Sequence, residues 1–268
     1  MIILKDATLA STSTDHTIKL WNTNTGQFIR TLTGHSDSVY SIVELLDSTL
    51  ASGSGDKLIK IWNPNDGRCI KNLRGHTSWI YSLAVLVDGR LASCSDDITI
   101  KIWDTEKSHD QLIKTLTGHS AWVWSLAVLK NGNLASSSGD KTIKIWSLFS
   151  FKLLRTIDLG TDSTLKIASL QESFLACSTL PGNISVFDTN TGQLTRNILS
   201  GNDEIIQSLV LLPHRILASS SDENRVNFWN LTDGKLTKTL ETQQPVWSLV
   251  LLADGRLVTA DINITIWK

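Results

Sequence analysis

The sequence predicts an all-β fold, a propeller of seven four-stranded antiparallel blades. Three observations lead to it. One pattern of near-constant length recurs seven times, end to end. The aromatic that closes each copy falls at Trp21, Trp62, Trp103, Trp146, Phe187, Trp229 and Trp267, in steps of 41, 41, 43, 41, 42 and 38 residues. Each copy holds four short β-type stretches punctuated by Gly, Asn and Asp. Long helical stripes are absent.

The copies justify the elements in order. Three are nearly identical: "LASGSGDKLIKIWN" (50–63), "LASCSDDITIKIWD" (91–104) and "LASSSGDKTIKIWS" (134–147). Looser copies are "LASTSTDHTIKLWN" (9–22), "LACSTLPGNISVFD" (175–188), "LASSSDENRVNFWN" (217–230) and "LVTADINITIWK" (257–268). Within one unit, "VWSLAVL" (123–129) reads as the innermost strand, followed by the turn "KNG" and the strand "NLASSS". The turn "GDK", the strand "TIKIW" and a looser outer strand, "FKLLRTI" (151–157), complete it. Burial of both sheet faces against neighbouring blades accounts for the near-continuous apolar runs. The chain reads as a single domain over residues 1–268. Register aligns Met1 with Ile42 and ends the chain just after the third strand of the last unit. The seventh blade is therefore expected to lack its outer strand, and Met1 need not be the natural start. The open edge would invite strand pairing with another chain.

Composition narrows the function classes. The chain has 268 residues, 41% hydrophobic and 19% charged, with a net charge of −1. A large core fits this balance; general binding to nucleic acid or an acidic membrane does not. Cys69, Cys94 and Cys177 are odd in number and unpaired in spacing, which suits a reducing compartment, the cytoplasm or the nucleus. The N-terminal apolar run is too short for a secretory signal, and no run reaches membrane-spanning length. The sequons at Asn183, Asn230 and Asn263 read as chance in a chain rich in Asn, Ser and Thr.

Gly-His pairs stand at 34–35, 75–76 and 118–119, each followed by Ser-x-Asp and then an aromatic six residues after the Asp. On these motifs the units resemble WD repeats, over the whole chain; Trp-Asp itself occurs once, at 103–104. The resemblance implies a buried tetrad in each of three blades: His35, Ser54, Asp56, Trp62; His76, Ser95, Asp97, Trp103; and His119, Ser138, Asp140, Trp146. In it the Asp accepts from the imidazole, the imidazole pairs with the Ser, and the Ser receives the indole N–H. Taken alone, Ser, His and Asp could suggest nucleophilic catalysis. Three equivalent copies single out no serine, so the sets read as structural, and no catalytic residue, cofactor or metal ligand is assigned. Other blades depart from the pattern. Blade one has Ser13, Asp15 and Trp21 without a Gly-His. Blade five has Thr179, Pro181 and Phe187. Blade six has Ser221, Glu223 and Trp229, with Asn202 in the His position; blade seven has Thr259, Asp261 and Trp267, with Thr242 there. Blade five is expected to be the loosest.

Other candidates are weaker. His16, His109 and His214 lack metal-ligand spacing and read as surface turns. "GSGDK" (53–57) joins two strands and opens no helix, so it is no phosphate loop. Lys60, Lys101 and Lys144 read as solvated heads on stems packed along the blade.

The aromatics carry the functional expectation. The resemblance places residues three and five after each Gly-His histidine at the start of an inner strand, near the rim of the top face. These are Ser38 and Tyr40, Trp79 and Tyr81, and Trp122 and Trp124. Alignment adds Ile205 and Gln207 in blade six, and Pro245 and Trp247 in blade seven. Both Tyr of the chain and four of its ten Trp lie in this set. Such rings either pack under neighbouring loops or form an interface rich in hot-spot residues. The function expected is a non-enzymatic scaffold that binds a protein or peptide through Tyr40, Trp79, Tyr81, Trp122, Trp124, Gln207 and Trp247. The rivals are RNA stacking on the same rings, disfavoured by the near-zero charge, and an enzyme at the central channel, for which no cluster of unmatched acids or histidines is visible.

Overall fold

Leu-Ala-Ser-x-Ser and Ile-Lys-Ile-Trp close the central pair of each regular unit. Leu50 lies opposite Trp62, Leu91 opposite Trp103 and Leu134 opposite Trp146. A computed structural model describes residues 1–106, 111–160, 164–180, 182–198 and 205–267. Among these are six antiparallel sheets of four strands and one of three, each a simple meander in chain order. The fold class is the predicted one: all-β, seven propeller blades, the seventh three-stranded. The 3₁₀ turn Pro213–Arg215 is the one helical piece among the described residues.

The chain divides into two compact units, Met1–Val128 with Ser147–Lys152, and Leu129–Trp146 with Leu153–Lys268. The first holds three full blades: Ile2–Ile3, Thr8–Thr12, Ile18–Asn22, Phe28–Leu32; Val39–Glu44, Leu50–Ser54, Ile59–Trp62, Cys69–Leu73; and Ile80–Val85, Leu91–Ser95, Ile100–Trp103, Leu112–Leu116. It also holds the inner strand Val123–Val128. The second holds Leu134–Ser138, Thr142–Trp146 and Leu153–Asp158, then blade five (Thr164–Ser169, Phe174–Thr179, Asn183–Asp188, Leu194–Ile198) and blade six (Ile206–Leu212, Ile216–Ser221, Arg225–Asn230, Leu236–Glu241). Blade seven is Ser248–Leu251, Leu257–Ala260 and Ile264–Trp267, and its last strand has no outer neighbour among the described residues.

Each core lies between successive blades. Ala10, Ile18, Leu20 and Leu32 of blade one pack with Val39, Ile42, Leu50 and Trp62 of blade two. Ala51, Ile59, Ile61 and Leu73 pack in turn with Ile80, Leu83, Leu91 and Trp103. The second unit repeats this from blade five to six through Trp229, and from six to seven through Val246 and Leu249. Each fully buried Val, Leu or Ile among them contributes about 1.5–3 kcal/mol. Gly53 belongs to this packing, because a Cβ there would lie 2.7 Å from Ile80 Cγ2.

Two polar devices join blade to blade. Inner strands are stitched by serines: the N–H groups of Leu83, Leu126 and Leu249 donate to the Oγ of Ser41, Ser82 and Ser208. Outer strands reach forward through long cations. Lys71 Nζ donates to Thr105 O, Arg155 to the carbonyls of Asn190 and Thr191, and Arg196 to Thr232 O. These are charge-assisted bonds to turn carbonyls. The lysines of Ile-Lys-Ile-Trp correct the sequence expectation. Lys60, Lys101 and Lys144 are buried, and their Nζ atoms bond Asn72 Oδ1 (2.6 Å), Thr115 Oγ1 (3.0 Å) and Thr156 Oγ1 (3.0 Å). Each partner is the residue paired with that lysine on the outer strand, so the ammonium is satisfied within the sheet.

Candidate functional site

The Gly-His turn delivers a buried imidazole to the central strands of its blade. In blade two, His35 Nδ1 lies 2.7 Å from Asp56 Oδ2, and His35 Nε2 lies 2.7 Å from Ser52 Oγ. Trp62 Nε1 donates to the same Ser52 Oγ at 2.7 Å. Blade three repeats the set, with His76 at 2.7 Å from both Asp97 Oδ2 and Ser93 Oγ, and Trp103 Nε1 at 2.8 Å from Ser93 Oγ. In blade four Trp146 Nε1 donates to Ser136 Oγ at 2.8 Å. His119 is buried.

The serine in each network is therefore Ser52, Ser93 or Ser136, two residues before the expected Ser54, Ser95 and Ser138. Register explains the correction. Leu50 is directly opposite Trp62 and Ser52 opposite Lys60, so Ser52 is the diagonal neighbour that an indole can reach. Ser54 lies one further step along the same face, where the strand ends. There its Oγ donates to Asp37 O and accepts from Asp56 N–H. Ser95 does the same with Ser78 O and Asp97 N–H, and Ser138 accepts from Asp140 N–H.

The acid uses both oxygens. Asp97 Oδ1 accepts from the N–H and hydroxyl of Thr99 and fixes the turn, while Oδ2 accepts from His76 and from Thr77 N–H. Burial raises the Asp97 carboxyl, but the His76 bond and charge with the Thr bonds outweigh it and hold the group well below the usual range. Asp56 is lowered in the same balance. Burial is also the largest influence on His35 and His76 and depresses both, against their Asp partners and with help from the Lys60 and Lys101 charges. The imidazoles are neutral: Nδ1–H donates to Asp, and Nε2 accepts the serine O–H. Every polar group then has a partner.

Gly75 is required twice. Its φ is +157°, and a Cβ would lie 3.0 Å from the buried Trp103 ring. Gly75→Ala is expected to destabilise the chain by about 2 kcal/mol, through backbone strain and overpacking. Exposed Gly26, φ +71° with no neighbour within 4 Å of its Cβ position, is the control. Denaturant midpoints check this; equal losses at both glycines would remove the role of the indole.

The repeated Gly-His turn, Trp–Ser–His–Asp network and meander in one register decide the family. The family model described as WD domain, G-beta repeat matches residues 26–63, 67–104 and 110–147. These three segments are WD repeats. A search of curated proteins finds no match to the chain.

The WD network is trimmed outside the matched repeats. In blade one Trp21 Nε1 donates to Ser11 Oγ, not Ser13, and Asp15 is taken by Thr17 and Lys19. In blade six Trp229 Nε1 donates to Ser219 Oγ, not Ser221, while Glu223 pairs with Arg225. In blade seven Trp267 Nε1 donates to Thr259 Oγ1 at 3.0 Å, and Thr242 bonds Gln244 O in its own loop. Blade five is buried at the same place by Phe187 opposite Leu175, with Cys177 opposite Ser185. Phe and Cys remove the indole donor and the hydroxyl together, which leaves no orphan and is cheap. Pro181, Asn202 and His109 lie outside the described residues. His16 and His214 are exposed in turns.

Beside the networks of the first unit lie the aromatics. Val39, Ile80 and Val123 are buried, and the alternate residues point the other way. Tyr40 is 38% exposed, Trp79 44% and Trp122 51%, while Tyr81 and Trp124 are half-buried. The five rings form a continuous chain. Tyr40 meets Trp79 at 6.0 Å and Tyr81 at 5.5 Å; Tyr81 meets Trp124 at 4.7 Å; Trp124 meets Trp122 at 5.5 Å, edge to face. Burial, then the Asp96 charge, pushes the Tyr81 hydroxyl up to about 12, so it stays a neutral donor. Trp247, 57% exposed, and half-buried Gln207 belong to the second unit.

Proposed function

We propose that the chain is a non-enzymatic scaffold that binds a protein or peptide on the aromatic surface of Tyr40, Trp79, Tyr81, Trp122 and Trp124. WD-repeat propellers commonly act as protein-interaction scaffolds. The observation that carries the reading here is the five-ring chain, three of whose rings stand more than a third exposed. Contiguous aromatic area on rigid strands is the composition of an interface centre, and ordering it costs little on binding. Gln207 and Trp247 of the second unit are proposed as partner-binding residues as well. Cys69, Cys94 and Cys177 form no disulfide among the described residues, which supports a reducing compartment such as the cytoplasm.

A random-peptide display library panned against the purified chain tests the proposal. Recovered peptides are expected to bind the wild type and to lose about 30-fold or more in affinity to the Trp79→Ala, Trp122→Ala double variant. Peptides that bind both proteins equally would place the interaction elsewhere.

A further inference from the structure

The aromatic surface carries a charge that its ring count does not reveal. In blade two, Asp37 Oδ2 lies 2.7 Å from where a Cβ of Gly55 would be, so the carboxylate fills the space over that glycine. In blade three the corresponding residues are Ser78 and Asp96, and Ser78 Oγ donates to Asp96 Oδ2 at 2.7 Å. The acid has changed strands, from the Gly-His turn in blade two to the end of the second strand in blade three. It still meets the same opposite position, and each arrangement leaves room for one carboxylate. Blade four has Ala121 and Gly139 there and carries none.

Both acids lie in the segments that carry or hold the rings. Asp37 is three residues before Tyr40, Asp96 N–H donates to Trp79 O, and the Asp96 charge acts on the Tyr81 hydroxyl. Ser78 Oγ donates to Asp96 and Ser38 N–H to Asp37, and among the described residues no ion pair is seen at either acid. Segments 35–41, 76–82 and 119–125, with the strand ends 52–56, 93–97 and 136–140, contain no Lys or Arg. Two carboxylates without an ion pair, on the same turns as exposed indole and phenol rings, attract a cation and repel phosphate. A guanidinium fits both parts: it stacks flat on an aromatic ring, is weakly hydrated, and presents paired donors to a carboxylate.

We propose that this surface recognises an arginine-bearing segment of a partner protein, the guanidinium stacked on the exposed rings of Tyr40 and Trp79 and its charge met by Asp37 and Asp96. The inference rests on the aromatic surface being the binding face. The test uses the full chain and four fluorescent peptides of alternating Gly and X, with X as Arg, Lys, Gln or Leu, measured by fluorescence polarisation. The Arg peptide is expected to bind about tenfold or more tighter than the Gln peptide, and tighter than the Lys peptide. The Asp37→Asn, Asp96→Asn double variant is expected to lose about tenfold for Arg alone, with its melting temperature held. Trp79→Ala, Trp122→Ala should abolish binding. Equal binding of Arg and Lys would overturn the guanidinium. Binding of Gln or Leu peptides as tight as Arg, lost with the tryptophans but not with the aspartates, would overturn the arginine and leave the aromatic face standing. Failure of all four peptides, together with library peptides indifferent to the tryptophans, would overturn both.

Discussion

His76→Ala is expected to lower the free energy of unfolding by about 3 kcal/mol. Removing the imidazole deprives Asp97 of its charge-assisted donor and the Ser93 hydroxyl of its acceptor, both within a buried site. Thr77 and Thr99 still serve the carboxylate, so the loss stays below that of a wholly unpaired buried charge. The serine pair is the sharper test. Ser93→Ala strips His76 Nε2 and Trp103 Nε1 at once in a buried place and should cost about 2 kcal/mol, against about 1 for Ser95→Ala, whose bonds with Ser78 O and Asp97 N–H are only part-buried. Denaturant unfolding in which Ser95→Ala costs as much as Ser93→Ala would return the network to the other serine.

The same network sets the pH response. Folded His35 and His76 titrate below their ordinary value of 6.5. As pH falls through 6.5, the unfolded chain takes up protons that the native chain refuses. The stabilisation is therefore whole above 6.5 and is lost below it. Asp56 and Asp97 titrate below 3.8, so their contribution is whole above that value and is lost as pH falls through their folded values. Both signs agree: unfolding midpoints should hold steady above pH 7 and fall from about 6.5 downward, less steeply in His76→Ala. A chain that gains stability between pH 7 and 5 would contradict the neutral imidazoles.

Trp122→Ala and Trp124→Ala are expected to separate binding from stability. Trp122 is half exposed, so its truncation should cost about 2 kcal/mol of peptide binding and leave the melting temperature within a degree or so. Trp124 is half-buried between Tyr81 and Trp122 and supports both rings. Its truncation should weaken binding and also destabilise the chain by about 1–2 kcal/mol, through lost aromatic contacts. A large fall in melting temperature for Trp122→Ala with binding unchanged would make that ring core and leave the surface without its anchor.

Much of this was legible in the chain itself. A repeat of near-constant length and a period-2 apolar alternation are local properties, so seven units, their strands and the three-stranded last blade can be read without coordinates. The alternation also separates Trp122 and Trp124 from Val123 and Ser125. Which serine enters the network was not legible. Ser52 and Ser54 share a face, and the choice between them depends on Leu50 pairing with Trp62 across two strands. The burial of the lysines is illegible for a related reason: an ammonium near an acceptor and one in water look the same in sequence, and only register puts Asn72 opposite Lys60. The carboxylates beside the rings were hidden most deeply. Asp37 and Asp96 stand at different positions of the repeat, so no motif aligns them. Only the tertiary structure shows each filling the equivalent space of its own blade, from opposite sides, because distance between side chains is set by packing and not by order along the chain.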